Sequence, residues 1–352
     1  MESRVLMDDF EFVSNSNLPF EKYRKKVFLI TGATGFIGSL LIKNLIYCNE
    51  KYNLKLEIIG LVRNYNKVKT IYKDECNYSY IHFITHDLQK AVNLSDLKVD
   101  YIIHTAAGTA SKNMVEFPVN NIKTSINGTL SILECALENE VKGMVYISSM
   151  EAYGALNNDG MTTENELGYI NLSSARSCYP ESKRMCECMC NAYHMQYGIR
   201  VVNARLAQTF GAGILSTENR VFAQFARSVI EKKNIVLHTK GLSEGNYVYS
   251  RDAVIAILLL LTEGIPGETY NISNEKSHVS IGKMAELVAK EVAENKIKII
   301  YDIPVNIESL GYAPDVKLHL SSKKMRKLGW NPEVGLVEAY QRMICYMKEE
   351  EN

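Results

Sequence analysis

Residues 28–39 read FLITGATGFIGS, an apolar, β-branched run that breaks into Gly32, Gly35 and Gly38 and resumes as an apolar segment with helical spacing. No other stretch of the chain constrains its fold as tightly. A strand that turns through glycines straight into a helix presents the first N–H groups of that helix, and its positive dipole, at the strand's C-terminal end. Gly32 permits the tight turn, Gly35 lets the backbone approach an anion, and Gly38 lets the helix lie close on the strand. The cradle suits a pyrophosphate, although the spacing is G-x-x-G-x-x-G rather than the commoner G-x-G-x-x-G.

The rest of the sequence supplies a frame for such a turn. KVFLIT (26–31) is short, continuous and β-branched, as a parallel strand buried on both faces should be. Similar runs recur at 56–62, 80–85, 100–107, 142–149 and 199–206, and segments with helical spacing, such as 38–47 and 124–138, lie between them. This alternation predicts right-handed crossovers and an α/β fold built on a doubly wound parallel sheet. Past about residue 206 it loosens into helices, short strands and loops, with no linker-like tract.

Composition narrows the function. Lys plus Arg and Asp plus Glu are both 40, so the chain has no basic surplus to track a nucleic-acid backbone, and no nucleic-acid partner is expected. The eight cysteines lack C-x-x-C spacing, and Cys186, Cys188 and Cys190, two apart on a helix, point in different directions, so no metal site is expected. Residues 1–25 have no continuous apolar core, and no later run could span a bilayer. A cytoplasmic protein without a membrane partner is the expectation.

Several residues are candidates for cofactor and chemistry. The position that ends the second strand and reads the adenosine ribose is acidic where NAD is preferred; here it is Arg63, which tilts the choice towards NADP. Asp87, after the third strand, is placed to accept from an adenine amino group or to cap a helix. In RSCYPESKR, Tyr179 and Lys183 are four apart and share a helix face. A phenol is a poor base near neutrality unless a cation stabilises its phenolate, and Lys183 supplies one. Ser149 ends the preceding strand, where its hydroxyl can hold a reacting oxygen. A glycine cradle followed by Ser, Tyr and Lys in this order points to hydride transfer at a carbinol, with Tyr179 moving the hydroxyl proton.

These pieces, with HDL (86–88), HTAA (104–107), SSMEAYG (148–154), RLAQTFGAG (205–213), YNISNE (270–275) and LGWNPE (328–333), give a chain that resembles the extended short-chain dehydrogenase/reductases from about residue 26 to 345. These are the nucleotide-sugar epimerases, dehydratases and decarboxylases. The resemblance implies a Rossmann domain over 26–206 and a smaller C-terminal α/β substrate domain over 207–352, with about 247–272 returning to the first and 1–25 as an N-terminal extension. It implies bound NAD or NADP, a sugar nucleotide or sugar phosphate as substrate, and a homodimer formed through two helices, one carrying Tyr179. It places Ser149, Tyr179 and Lys183 on the catalytic trio. Gly32, Gly35, Phe36, Ile37 and Gly38 fall on the phosphate loop, and Asp87, Leu88, Ala106 and Ala107 on the adenosine and ribose side.

The departures bear on the reaction. The 4,6-dehydratases carry Asp-Glu after the catalytic hydroxyl, whereas this chain has Met150-Glu151. Glu151 retains a carboxylate for proton abstraction or for assisting decarboxylation, or it caps a turn. Met150 cannot donate a proton, which disfavours dehydration. Around Tyr179 the sequence looks most like UDP-glucuronate decarboxylases. Gln208 stands where an Asn commonly contacts the sugar nucleotide, and Gly245 where an Arg clamps the diphosphate. Lys240, Arg251 or Arg220 are candidates to compensate, with Tyr247 or Tyr249 facing the substrate. An enzyme modifying a nucleotide sugar by epimerisation or decarboxylation is therefore expected first. An NADPH-dependent reductase of a sugar, sugar phosphate or other small carbonyl is the alternative, and a cofactor-binding protein without turnover is a third.

Overall fold

The computed structural model describes residues 2–90, 94, 97–109, 111–156, 160–304 and 315–351. Six parallel strands follow the predicted runs: β1 (Val27–Thr31), β2 (Glu57–Val62), β3 (Ile81–Thr85), β4 (Tyr101–His104), β5 (Gly143–Ser149) and β6 (Val201–Leu206). A seventh, Thr269–Ile272, pairs in parallel with β6 and closes that edge. The order across the sheet is Thr269–Ile272, β6, β5, β4, β1, β2, β3. The chain thus winds outward in both directions from the junction of β1 with β4, and ligands of open α/β sheets bind outside the strand ends at such a junction.

Strand alternation builds two cores. On β1, Phe28 and Ile30 face one apolar layer with Leu41 and Leu45 of the helix Phe36–Tyr52 and with Ala253 and Ile257 of the helix Ser250–Glu263. Leu29 faces the opposite layer, with Ile132 and Leu133 of Pro118–Glu138 and Cys186 and Cys190 of Cys178–Tyr197. Continuous apolar runs are what a strand covered on both faces requires.

Beyond β6, three strands form a second small sheet. Glu244–Tyr249 lies at its centre, parallel to Gln208–Phe210 and antiparallel to Asn274–Ser280. Ser250–Glu263 and Thr269–Ile272 then rejoin the large sheet, so the chain crosses between the two layers more than once.

The N-terminal extension is part of the core. Helix Arg4–Ser14 buries Val5, Leu6, Phe10 and Val13, and each such side chain contributes about 1.5–3 kcal/mol. Its Asp9 accepts from Tyr249 Oη at 2.7 Å and from Arg342 Nη2 at 2.7 Å. Both ends of the chain are therefore tied to the start of Ser250–Glu263. Among the described residues no helix is long and apolar enough to cross a membrane.

Candidate active site

The glycine turn is set by contacts that a side chain would break. Gly32 has φ +64°, and a Cβ there would lie 2.7 Å from Thr105 Oγ1; a Cβ on Gly38 would lie 2.3 Å from Gly32 O. Gly35 is the N-cap of Phe36–Tyr52 and has no side chain to accept from the first turn. The leading N–H groups, those of Phe36 and Ile37 among them, are thus left to an anion. A dinucleotide pyrophosphate fits this cradle.

Beneath it lies His104, 1% exposed. Its Nδ1 pairs with Thr31 Oγ1 at 2.7 Å and its Nε2 with Thr129 Oγ1 at 3.2 Å. Burial, with the Lys183 charge, pushes the imidazole down to about 3, so it is a neutral structural bridge. Ala106 and Ala107, half-buried, follow on the loop after β4. Arg63 is exposed directly after β2. Asp87 does not cap a helix: its Oδ1 accepts from Gln89 N at 3.1 Å in a turn, while Leu88 is buried against Gly128.

The catalytic candidates meet at the C-terminal end of β5. Ser149 Oγ accepts from Glu151 N at 3.2 Å, and Ser149 is near enough to the Tyr179 phenol to favour its ionised form. Tyr179 and Lys183 lie on the buried face of Cys178–Tyr197. Lys183 Nζ donates to Ile147 O at 2.6 Å and stands 5.7 Å from the Tyr179 ring centre. Burial and the Glu151 charge push the Tyr179 phenol up to about 12, while Ser149, Arg220 and Arg176 pull it down. Burial pushes Lys183 down to about 8, opposed by Cys186, Glu187 and Cys190. Burial thus drives the two pKa values apart, each towards the neutral form of its group.

Two arginines flank this phenol, and sequence reasoning missed half of each arrangement. Arg176 grips Glu151 through both oxygens, at 2.7 and 3.2 Å. Arg220 donates to Gln208 Oε1 at 3.3 Å and forks onto Glu218 at 3.0 and 2.6 Å. Arg176, three residues before Tyr179, and Glu218, two before Arg220, were visible as charges, but nothing local marked them as partners.

Other expected substrate contacts lie elsewhere. Tyr247 is 5% exposed, its ring edge-on to Phe210 at 5.8 Å, so the second sheet's own core takes it. Tyr249 is likewise buried, on Asp9. Arg251 stacks 3.7 Å from the Phe12 ring centre, and Lys240 is exposed on the loop before Glu244–Tyr249. Cys186 and Cys190 are buried against the sheet and Cys188 is exposed, so the trio diverges.

A parallel sheet with an anion cradle at its switch point, and a Ser, Tyr and Lys converging at the neighbouring strand end, defines a nicotinamide-dependent α/β enzyme. The profile of the NAD dependent epimerase/dehydratase family matches residues 28–273, and the chain belongs to this family, the extended short-chain dehydrogenase/reductases. It is 27% identical to UDP-glucuronic acid decarboxylase 1 of Xenopus tropicalis, over 94% of this chain and 74% of that protein. It is also 27% identical to human dTDP-D-glucose 4,6-dehydratase, over 93% of this chain and 91% of that one. Among solved structures, UDP-glucose 4-epimerase from Thermotoga maritima with UDP-glucose superposes with a TM-score of 0.77 at 23% identity, covering 93% of this chain and all of the other. The NAD complex of dTDP-glucose 4,6-dehydratase from Bacillus anthracis gives 0.74 at 21%, over 93% and 97%.

Proposed function

We propose that this enzyme transiently oxidises a hydroxyl of a nucleotide-activated sugar, in an epimerisation or a decarboxylation, and leaves its cofactor unchanged after each turnover. The convergence of Ser149, Tyr179 and Lys183 beside Glu151 carries this reading. A bound nicotinamide supplies the hydride acceptor and returns the hydride. Tyr179 takes the hydroxyl proton, Ser149 holds the reacting oxygen, and Lys183 contacts the cofactor while its charge favours the phenolate. Glu151, fixed by Arg176, is the second acid or base, and Met150 leaves no proton donor for 4,6-dehydration.

Arg63 favours NADP, since its guanidinium matches a 2′-phosphate. A homodimer belongs to the same reading. Val119, Ile122 and Leu130 on Pro118–Glu138 and Met185 and Met195 on Cys178–Tyr197 are exposed on adjacent helices, an apolar surface that a second copy would cover.

The test is incubation with UDP-glucose, UDP-glucuronic acid and dTDP-glucose, following sugars by proton NMR and the cofactor by absorbance. A new sugar nucleotide without net reduced cofactor is expected, and Tyr179→Phe should lower the rate about 10²–10⁴-fold. Stoichiometric NADPH consumption with a small carbonyl compound would favour a reductase, the reading that Gly245 and Met150 support.

A further inference from the structure

One buried ion pair under the site has no part in this chemistry. Glu187 follows Lys183 by four residues, as Lys183 follows Tyr179, so all three line one helix face. Arg205 Nε donates to Glu187 Oε1 at 2.9 Å, Arg205 Nη2 donates to Oε2 at 2.6 Å, and Ser148 Oγ donates to Oε1 at 2.5 Å. Ser148 and Arg205 are directly opposite each other in the β5/β6 register. One carboxylate from the helix is therefore held by two adjacent strands, one residue before Ser149.

Nothing in this arrangement has slack. The remaining Arg205 Nη1 donates to Glu164 O at 3.0 Å, and the guanidinium lies 4.7 Å from the Tyr153 ring centre. The Glu187 and Arg205 side chains are 7% and 5% exposed. A buried ion pair repays its desolvation only when its geometry is tight and its remaining donors are satisfied, and one of its best-attested roles is fixing register.

We propose that Glu187 is a positioning residue for the cofactor grip of Lys183. It sets the register of the Tyr179 and Lys183 face on β5 and β6, and it supplies counter-charge to the buried ammonium one turn away. This rests on the reading of Lys183 as a cofactor contact. The groups facing that ammonium are Tyr179, Cys186, Glu187 and Cys190 on its own helix, Tyr146 on β5, 4.8 Å from Nζ to ring centre, and neutral His104 on β4. Arg205, on β6, is engaged by Glu187. Among these, Glu187 is the only carboxylate, and the cysteines on this face are buried thiols. Removing its charge takes away support for the protonated lysine.

The experiment is calorimetric titration of the full chain with NADH and with NADPH between pH 6.5 and 9.5. Wild-type affinity is expected to fall as pH rises through about 8, where Lys183 loses its proton. Glu187→Gln should move that midpoint down by about one unit. Glu187→Asp keeps the charge but is too short to reach both strands, and should weaken binding about three- to tenfold at every pH with the midpoint unmoved. A folded Glu187→Gln protein with the wild-type midpoint, or Glu187→Asp with wild-type affinity, would overturn the proposal. If circular dichroism shows Glu187→Gln unfolded, Ser148→Ala decides: weaker binding with an unmoved midpoint supports it, and unchanged binding overturns it. Lys183→Met separates the two levels, because wild-type affinity in that variant removes the underlying reading itself.

Discussion

The Met150 methyl group lies against the bare backbone of Gly245, so that a Cβ built at 245 would stand 3.5 Å from Met150 Cε. Met150, where the 4,6-dehydratases carry Asp, and Gly245, where an Arg is usual, are thus one local feature. A thioether here packs over a glycine, with neither a carboxyl nor a guanidinium at these two positions. On the proposed reading, these positions offer neither a proton donor for dehydration nor a side-chain clamp for a diphosphate, while Arg220 and Arg176 both favour the ionised form of the Tyr179 phenol.

Position 245 makes the substrate question accessible. The first side-chain atom of Gly245→Arg meets only the flexible Met150 terminus, at ordinary contact distance. If a sugar diphosphate passes there, UDP binding measured by calorimetry should tighten about ten- to a hundredfold, in line with about 1.5–3 kcal/mol for a hydrogen bond to a charged group. Unchanged affinity would mean that the diphosphate runs elsewhere or that the substrate is smaller.

Asp252 gives a stability test with a defined sign. Its Oδ2 accepts from Glu333 N at 2.9 Å and Val334 N at 3.0 Å. Burial pushes the carboxyl up to about 6 against those donors and Arg251. Unfolded it titrates near ~4, so the folded protein holds this proton more tightly. The ionised group costs stability above pH 6, and the cost disappears as pH falls from 6 towards 4. Asp252→Asn keeps an acceptor and removes the charge. Its melting temperature relative to wild type should therefore rise between pH 5 and 8; a constant difference would refute the assignment.

The N-terminal helix is predicted to be indispensable to the fold. Asp9→Ala leaves Arg342 and Arg251 without their shared carboxylate, which stands 2.7 and 3.5 Å from them. Breaking one side of a buried pair costs about 3–5 kcal/mol, readable as a lower urea midpoint. A loss below about 1 kcal/mol would place the network among solvent-screened pairs.

For the proposed dimer, Ile122→Glu combined with Met185→Glu should give a monomer by sedimentation velocity with unchanged far-ultraviolet circular dichroism. Both residues are exposed in the single chain, so charge at either should not disturb its core. A dimer that survives both changes would use another surface.

What could be read locally was read from the chain. The parallel strands announced themselves as continuous apolar runs because both of their faces are covered, and the cradle as three glycines because their backbone must approach backbone, as the Gly38 position does over Gly32 O. Tyr179 and Lys183 share a face because a helix repeats every 3.6 residues. Their partners were not legible. Glu151 with Arg176 and Glu187 with Arg205 are charge pairs whose members look like any surface residues in the sequence. Tyr247 looked like a substrate contact and is core.

The sequence alone determined the order of strands and helices, the glycine turn and the shared helix face of Tyr179 and Lys183, since each depends on periodicity or spacing within one or two elements. Tertiary structure decided which charges face one another. Asp9 and Arg342 meet across 333 residues of chain, and Glu187 meets a strand pair whose register is set by backbone hydrogen bonds. Such contacts depend on how layers pack, and a side chain's partner across a layer leaves no periodic trace in the sequence that encodes it.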